Sequence, residues 1–154
     1  MGAGQNVPLA GPRVQVDLLA SHADLSVLLV GASGRVDRDE DFIFYNNPRS
    51  TDGAATLTAN GASVDTALLA QHCERVILVV SAGDGGSIAD ATAVLHQPGF
   101  EIDLRFRPVD SSSVNALVWG ELYKRNGNWR LRAVGQGWAD GLAGLARDYG
   151  VNVD

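Results

Sequence analysis

Oxygen-bearing side chains between residues 39 and 53 are the first candidates for chemistry in this sequence. The stretch DEDFIFYNNPRSTDG has three acids at its start, then a short apolar run, then two asparagines, a proline and an Asp-Gly pair. Carboxylate and amide oxygens are the ligands that a hard cation prefers. The same residues are common in solvated turns. Two interpretations therefore stand, a cation site or a strand with a polar loop at each end, and the residues alone favour the solvated loop.

The acids at this position have the spacing that opens an EF-hand loop. Asp37, Asp39 and Asp41 occupy the first, third and fifth positions of such a loop. The sixth position, where a sharp turn requires glycine, is Phe42, and the twelfth, where a bidentate glutamate belongs, is Pro48. The stretch is therefore not an EF-hand.

No other motif points to a conventional enzyme. Cys73 follows His72 directly, and neighbouring residues of a strand point to opposite faces, so the two do not form a nucleophile and its base. The Gly135-Gln-Gly137 run lacks the third glycine of a dinucleotide-binding turn. The sequence contains no G-x-S-x-G, H-E-x-x-H or P-loop pattern. We therefore predict a protein without catalytic activity, in which the one cysteine is dispensable.

Charge and composition narrow the class of partner. The 154 residues suit one domain spanning 1–154, and a 45% hydrophobic content is enough for a core without disulfides. A net charge of −6 argues against a general nucleic-acid surface and against an anionic membrane. The longest apolar run, 75–81, is far too short to span a bilayer. With no signal-peptide pattern at the start and a single cysteine, we predict a cytoplasmic protein without membrane insertion.

Short strands dominate the pattern along the chain. Alternation and β-branched runs predict strands at 18–19, 24–30, 42–45, 54–58, 75–81, 91–95 and 101–107, and residues 64–73 are ambiguous. A helical pattern occurs only at 141–149, where Leu142, Leu145, Ala146 and Tyr149 share one face before Gly150. This arrangement predicts a mainly β fold, a two-sheet antiparallel β-sandwich with a short C-terminal helix.

One hairpin is specified in detail by its turn. In NALVWGELYKRNGNWRLRAVGQG, Asn126-Gly127 suits a two-residue turn in which both residues take positive φ. That turn places Leu122 opposite Leu131 and Glu121 opposite Arg132. Apolar residues then fall on one face and charged pairs on the other, so the turn and the alternation agree on the register.

The motifs together resemble the bacterial tellurium-resistance TerD-domain family. The segments that carry the resemblance are DEDFIFYNNPRSTDG, VILVVS and VWGELYKRNGNWRLRAVGQGWADGLAGLARDYGVNV, in the order that the family has them. The resemblance covers the chain from Asp24 onward. It implies a β-sandwich, a cytosolic role in tellurite and general chemical-stress resistance, and calcium binding by acids and asparagines clustered at one end of the sandwich.

The chain departs from the family pattern where acids are expected. His22 stands at the first Asp of the family's Asp-x-Asp-x-Ser, the loop GAATLTANGASVD keeps only Asp65, and the acidic segment after VVS is shortened to AGDGGSIAD. Calcium affinity follows the number of charged ligands, so we expect at most one weak calcium site. The positions that match the family and could supply ligands are Asp24, Asn46, Asn47, Asp52 and Asp84.

Two functions of different classes follow from this comparison. The first is a calcium-responsive stress protein that acts by binding other proteins, among them other stress-resistance proteins. The second is a calcium-independent scaffold or interaction domain with a degenerate cation site. Direct chemistry on tellurite is a distant third, because soft thiolates would be its natural reagents and the chain has a single cysteine.

Overall fold

Two antiparallel sheets form the framework of the described part of the chain. The computed structural model describes residues 4–19, 23–36, 38–82, 88, 92–100, 103–106, 115–138 and 141–151. The elements are β1 (Asn6–Pro8), β2 (Arg13–Leu18), β3 (Ala23–Val30), a 3-10 turn (Asp39–Asp41), β4 (Phe42–Ile43), β5 (Ala55–Leu57), β6 (Gly61–Asp65), β7 (Arg75–Ala82), β8 (Ala93–His96), β9 (Asp103–Phe106), β10 (Ala116–Arg125), β11 (Asn128–Trp138) and α1 (Gly141–Asp148). Sheet A has the strand order β1-β11-β10-β7-β3-β4, and sheet B has the order β5-β6-β2-β8-β9.

Sheet A is covered on both faces, which explains its apolar central strands. Alternate residues of β3 and β7, such as Val27 and Leu78, lie in a core between the two sheets. The residues between them, such as Leu28 and Ile77, lie in a second core under α1. Strands buried on both faces read as continuous apolar runs. The predicted mainly β sandwich with a C-terminal helix is confirmed.

The helix uses the face that the sequence predicted. Leu145 and Ala146 are buried in the second core, with Leu142 and Tyr149 partly buried beside them. The helix ends where Gly150 takes a φ of 87°. The amide of Val151 then donates to the carbonyl of Ala146, and that of Gly150 to Arg147, as in a Schellman cap. Within the described ranges, no helix is long and apolar enough to cross a membrane.

The hairpin register is also confirmed. Asn126 and Gly127 have φ values of 54° and 80°. Leu122 lies opposite Leu131 and Glu121 opposite Arg132. A register shift between Val118 and Gly120 then marks a bulge at the buried Trp119. The turn does not determine the register as far as this bulge, and the alternation of the sequence did not predict it.

Several strand predictions needed correction. β1 and most of β2 were missed, although Val14 and Val16 are buried in the core between the sheets. The run predicted as a strand at 42–45 pairs with β3 only at Phe42 and Ile43, because the chain turns back at Tyr45. The ambiguous segment 64–73 consists of the end of β6 followed by turns. Residues 101, 102 and 107 of the predicted strand lie outside the described residues.

Candidate functional site at one end of the sandwich

Asp24 faces an open cleft at one end of the sandwich. It lies at the start of β3, and its side chain is exposed. The cleft has a volume of about 690 Å³, and its walls come from both sheets and from α1. No described residue donates a hydrogen bond to the Asp24 carboxylate. The described residues that line the cleft are Leu18, Ala23, Asp24, Leu25, Ser26, Tyr45, Leu57, Thr58, Ala59, Asn60, Gly61, Ser81, Ala82 and Leu142.

The two asparagines of the turn after β4 have different roles. Phe44 and Asn47 exchange backbone hydrogen bonds of 3.2 and 2.8 Å around Tyr45 and Asn46. The Asn47 side-chain amide donates to the carbonyl of Phe42 at 2.9 Å and to that of Glu40 at 3.2 Å, so it braces the turn. Asn46 is exposed at the tip. Because β3 and β4 are antiparallel, this turn lies at the same end of sheet A as Asp24.

Asp52 lies at the opposite end and is tied into the architecture. Its Oδ1 accepts hydrogen bonds from the Ser50 hydroxyl at 2.6 Å and the Ala54 amide at 2.9 Å, and its Oδ2 accepts one from the Ala70 amide at 3.0 Å. Burial alone would raise the pKa of Asp52, but the Ser50 hydroxyl and the two amides outweigh it and hold the pKa below its ordinary value. Asp52 therefore acts as a loop brace.

The predicted ligands are thus divided between two ends. Asp52 precedes the first residue of β5, whereas Leu57, the last residue of β5, lines the cleft that holds Asp24. We call these the Asp52 end and the Asp24 end. The structure brings Asp24 and the turn with Asn46 to one end and separates them from Asp52. Asp84 lies outside the described residues.

Sequence reasoning missed a buried acid at the Asp52 end. Asp41 is only 3% exposed, so the solvated-loop interpretation fails for this member of the acidic run. One oxygen lies 3.3 Å from Arg38, and the other, to which no described residue donates a hydrogen bond, lies 3.6 Å from Nε2 of His72. The hydrogen bond and charge of Asp41 raise the pKa of the Arg38 guanidinium. Nothing in the acidic spacing distinguishes Asp41 from its exposed neighbours Asp39 and Glu40.

A second buried acid joins three strands on the outer face of sheet A. Glu121 of β10 contacts Arg132 of β11, as the hairpin register predicted, and lies 3.7 Å from Arg75 of β7. The Arg132 guanidinium also lies 5.0 Å from the centre of the Tyr123 ring. Burial first, then the charge of Glu121, raises the pKa of Tyr149. The cluster compensates a buried carboxylate with two guanidinium groups and links the strands.

The single cysteine is poorly suited to reaction. Cys73 is 2% exposed, and its thiol lies 3.4 Å from the carbonyl of Arg75. Burial raises the pKa of the thiol to about 11, so the reactive thiolate is scarce at neutral pH.

Comparison with known proteins agrees with this architecture. Residues 13–149 match the TerD domain. Over 149 residues the chain is 34% identical to the tellurium resistance protein TerD of Serratia marcescens, covering 84% of this chain and 78% of that protein. It is 29% identical over 150 residues to the general stress protein 16U of Bacillus subtilis, with the same coverage of 84% and 78%.

A solved structure has the same fold. The crystal structure of a homologue of telluride resistance protein (TerD) from Streptomyces coelicolor superposes with a TM-score of 0.72 at 17% identity, covering 89% of this chain and 96% of that one. The relatives that share this domain are named for tellurium resistance and for general stress. The chain belongs to the TerD domain family.

Proposed function

We propose that this chain protects a bacterium against tellurite and other chemical stress from within the cytoplasm, without catalysing a reaction, by binding other proteins. The partners we propose are other stress-resistance proteins. The observation that carries the proposal is membership of the TerD domain family, with relatives named for tellurium resistance and for general stress. The buried thiol of Cys73 supports a role without direct chemistry on tellurite, because such chemistry calls for an accessible thiolate.

Calcium binding at the Asp24 end is the finer part of the proposal. Asp24 offers a carboxylate to which no described residue donates a hydrogen bond, and neutral oxygens of Ser26, Thr58 and Asn60 lie around the same cleft. These are donors of the kind that Ca²⁺ prefers, but one carboxylate supplies little charge. Within the described residues, no three His, Cys, Asp or Glu side chains group around one metal position. We therefore propose a single weak site, built on Asp24 with oxygens from its surroundings.

A calcium-independent scaffold is the second candidate. The observation that favours it is the engagement of two of the predicted ligands. Asn47 donates to two backbone carbonyls, and Asp52 accepts three hydrogen bonds, so both already serve the loop structure. In this alternative the turn after β4 has only a structural role and binds no cation.

Growth on tellurite tests the resistance role. A tellurite-sensitive bacterial strain without its own TerD proteins would express this chain, and growth would be scored against potassium tellurite. We expect the wild-type protein and Cys73→Ser to restore growth to the same extent. If Cys73→Ser is folded and abundant but fails to protect, thiol chemistry replaces binding as the explanation. If the wild-type protein itself fails to protect, the resistance role is wrong.

Thermal unfolding in calcium and in chelator tests the calcium site. A ligand that binds only the folded state adds about 2.7 kcal/mol at a hundredfold excess over its Kd. We expect millimolar calcium to raise Tm for the wild type and for Asp52→Asn, and to leave Asp24→Asn unchanged. An unchanged wild type favours the scaffold, and a shift that is kept in Asp24→Asn places the site elsewhere.

A further inference from the structure

The edge of β3 is only partly paired. On one side β3 pairs with β7 along its whole length, from Ala23 opposite Ala82 to Val30 opposite Arg75. On the other side, β4 pairs with it at only two positions, Val27 and Leu28. Within the described part of the chain, the segment Ala23–Ser26 therefore has no strand beside it on that side.

The backbone polar groups of Leu25 point to this open side. The backbone groups of Phe42 and Phe44 form hydrogen bonds with Asn47, so they point to the side of β4 away from β3. Successive residues of a strand direct their N–H and C=O groups to opposite sides, so Ile43 faces β3 and its partner Val27. By the same alternation along β3, the N–H and C=O groups of Leu25 point to the same side as those of Val27. The described part of β4 does not extend far enough to pair with them.

The cleft of the Asp24 end lies along this edge. Tyr45 and the β5–β6 turn at 57–61 stand on one side of the segment, and Leu142 of α1 stands on the other. Four residues of a strand extend about 13 Å at roughly 3.3 Å each. A strand that paired with the β3 edge beyond the end of β4 would pass between these walls. Its side chains would alternate between the Asp24 face and the face of Leu25.

The two faces of the cleft differ in chemistry. Among the described residues that line it, Asp24 is the only charged one, and the chain as a whole carries a net charge of −6. Leu25 belongs to the core between the sheets, and Leu57 beside it is partly buried. Tyr45 is 74% exposed at the rim, an unusual position for a large aromatic side chain. A ligand complementary to both faces alternates basic and apolar residues.

We propose that the β3 edge at Ala23–Ser26 binds an extended peptide segment of a partner protein, which adds to sheet A as an antiparallel strand. Basic side chains of the segment lie on the Asp24 face, and its apolar side chains lie against Leu25, Leu57 and Tyr45. The main chain supplies affinity and the alternate side chains supply selectivity, as in other cases of strand addition. This proposal rests on the proposed function only in requiring that the protein acts through a partner.

Binding of short synthetic peptides tests the backbone pairing. The probe is fluorescein-labelled Thr-Lys-Val-Lys-Val-Thr with blocked ends, measured by fluorescence anisotropy in chelator at low salt. In antiparallel pairing the residue opposite Leu25 shares its face, so the valine amides pair with β3. We expect N-methylation of the valines to reduce binding at least tenfold, and N-methylation of the lysines to leave it within twofold. Equal effects of the two modifications, or no binding of the parent peptide, would overturn the proposal.

Charge variants of the protein test the Asp24 face. Asp24→Asn is expected to weaken binding of the lysine peptide by about threefold, the size usual for an exposed ion pair. Asp39→Asn is the matched control, because Asp39 is an exposed acid outside the cleft. A peptide with glutamate in place of lysine is expected to bind more weakly than the parent peptide. Equal loss in both variants would mean that general charge attraction, not the cleft, holds the peptide.

Hydrogen exchange at single residues gives an independent readout. In the free protein the amide of Leu25 is expected to exchange faster than those of Asp24 and Ser26, which face β7. Saturating peptide is expected to slow Leu25 at least tenfold and to leave Asp24 and Ser26 within twofold. An unchanged Leu25 amide would contradict strand addition. If the peptide fails these tests while the chain still protects cells on tellurite, the docking proposal fails and the proposed function stands.

Discussion

At the Asp52 end of the sandwich, two carboxylates are engaged by neighbouring side chains and amides, whereas at the Asp24 end the one carboxylate that the described residues supply faces an open cleft. Asp52 accepts three hydrogen bonds, and Asp41 is buried beside Arg38 and His72. Asp24 has no described donor. Asp41 of the conspicuous acidic run and Asp52 thus serve the fold, whereas the less conspicuous Asp24 receives no hydrogen bond from the described residues. A carboxylate whose oxygens already accept hydrogen bonds from the protein has fewer lone pairs available for a ligand.

Replacing each acid by alanine is the most direct test of whether Asp52 and Asp24 differ in their contribution to stability. Asp52→Ala is expected to lower the free energy of unfolding by about 1.5 kcal/mol, because it removes three hydrogen bonds from a partly solvent-screened carboxylate. Asp24→Ala is expected to stay within about 0.5 kcal/mol of wild type. Urea unfolding of the two variants at neutral pH measures both values. Equal losses would show that Asp24 has a structural role as well.

The neighbouring asparagines repeat the comparison at a single turn. Asn47→Ala is expected to cost about 1 kcal/mol, because the carbonyls of Phe42 and Glu40 lose their donor. Asn46→Ala, which changes the exposed tip of the same turn, is expected to cost much less. Urea denaturation under identical conditions distinguishes the two. The opposite ranking would mean that the tip, and not the brace, holds the turn.

Acid titration sharpens the distinction at the Asp52 end. The folded-state pKa of Asp52 is lowered, so its contribution to stability is fully present above the ordinary aspartate pKa of about 3.9 and is lost as pH falls through the lower folded value. The stability difference between wild type and Asp52→Asn is expected to be largest near neutral pH and to vanish in strong acid. Unfolding curves from pH 6 downward measure it. A difference that grows as pH falls would contradict the lowered pKa.

The smallest effect is expected from Tyr45 in the absence of any ligand. Tyr45→Ala removes a ring that is 74% exposed and meets Phe44 edge-on at 5.2 Å, so stability is expected to change by less than about 1 kcal/mol. Binding of the lysine peptide is expected to weaken severalfold in the same variant. Thermal unfolding and anisotropy on one preparation test both statements. Unchanged peptide binding would remove the rim of the cleft from the docking surface.

The elements that the sequence predicted well are those set by neighbours in the chain. The hairpin at Asn126-Gly127 has the expected register because two adjacent residues with positive φ leave one pairing of the flanking strands. The helix has the expected buried face and is capped by Gly150 because periodicity and capping act within a few residues. Family membership was likewise readable from local motifs.

The state of each acid was decided only by the tertiary structure. Asp52 is a brace because the amide of Ala70, 18 residues away, reaches its second oxygen. Asp41 is buried in the folded chain, where His72 lies 3.6 Å from it, and an acidic run in the sequence looks the same whether its members are solvated or buried. The edge of β3 is open, within the described residues, because β4 ends at Ile43. The chain turns there, and the Asn47 side chain stabilises the turn by donating to the carbonyl of Phe42. Burial and donor geometry arise from contacts between segments distant in the chain, and so the sequence could nominate these oxygens but not assign their roles.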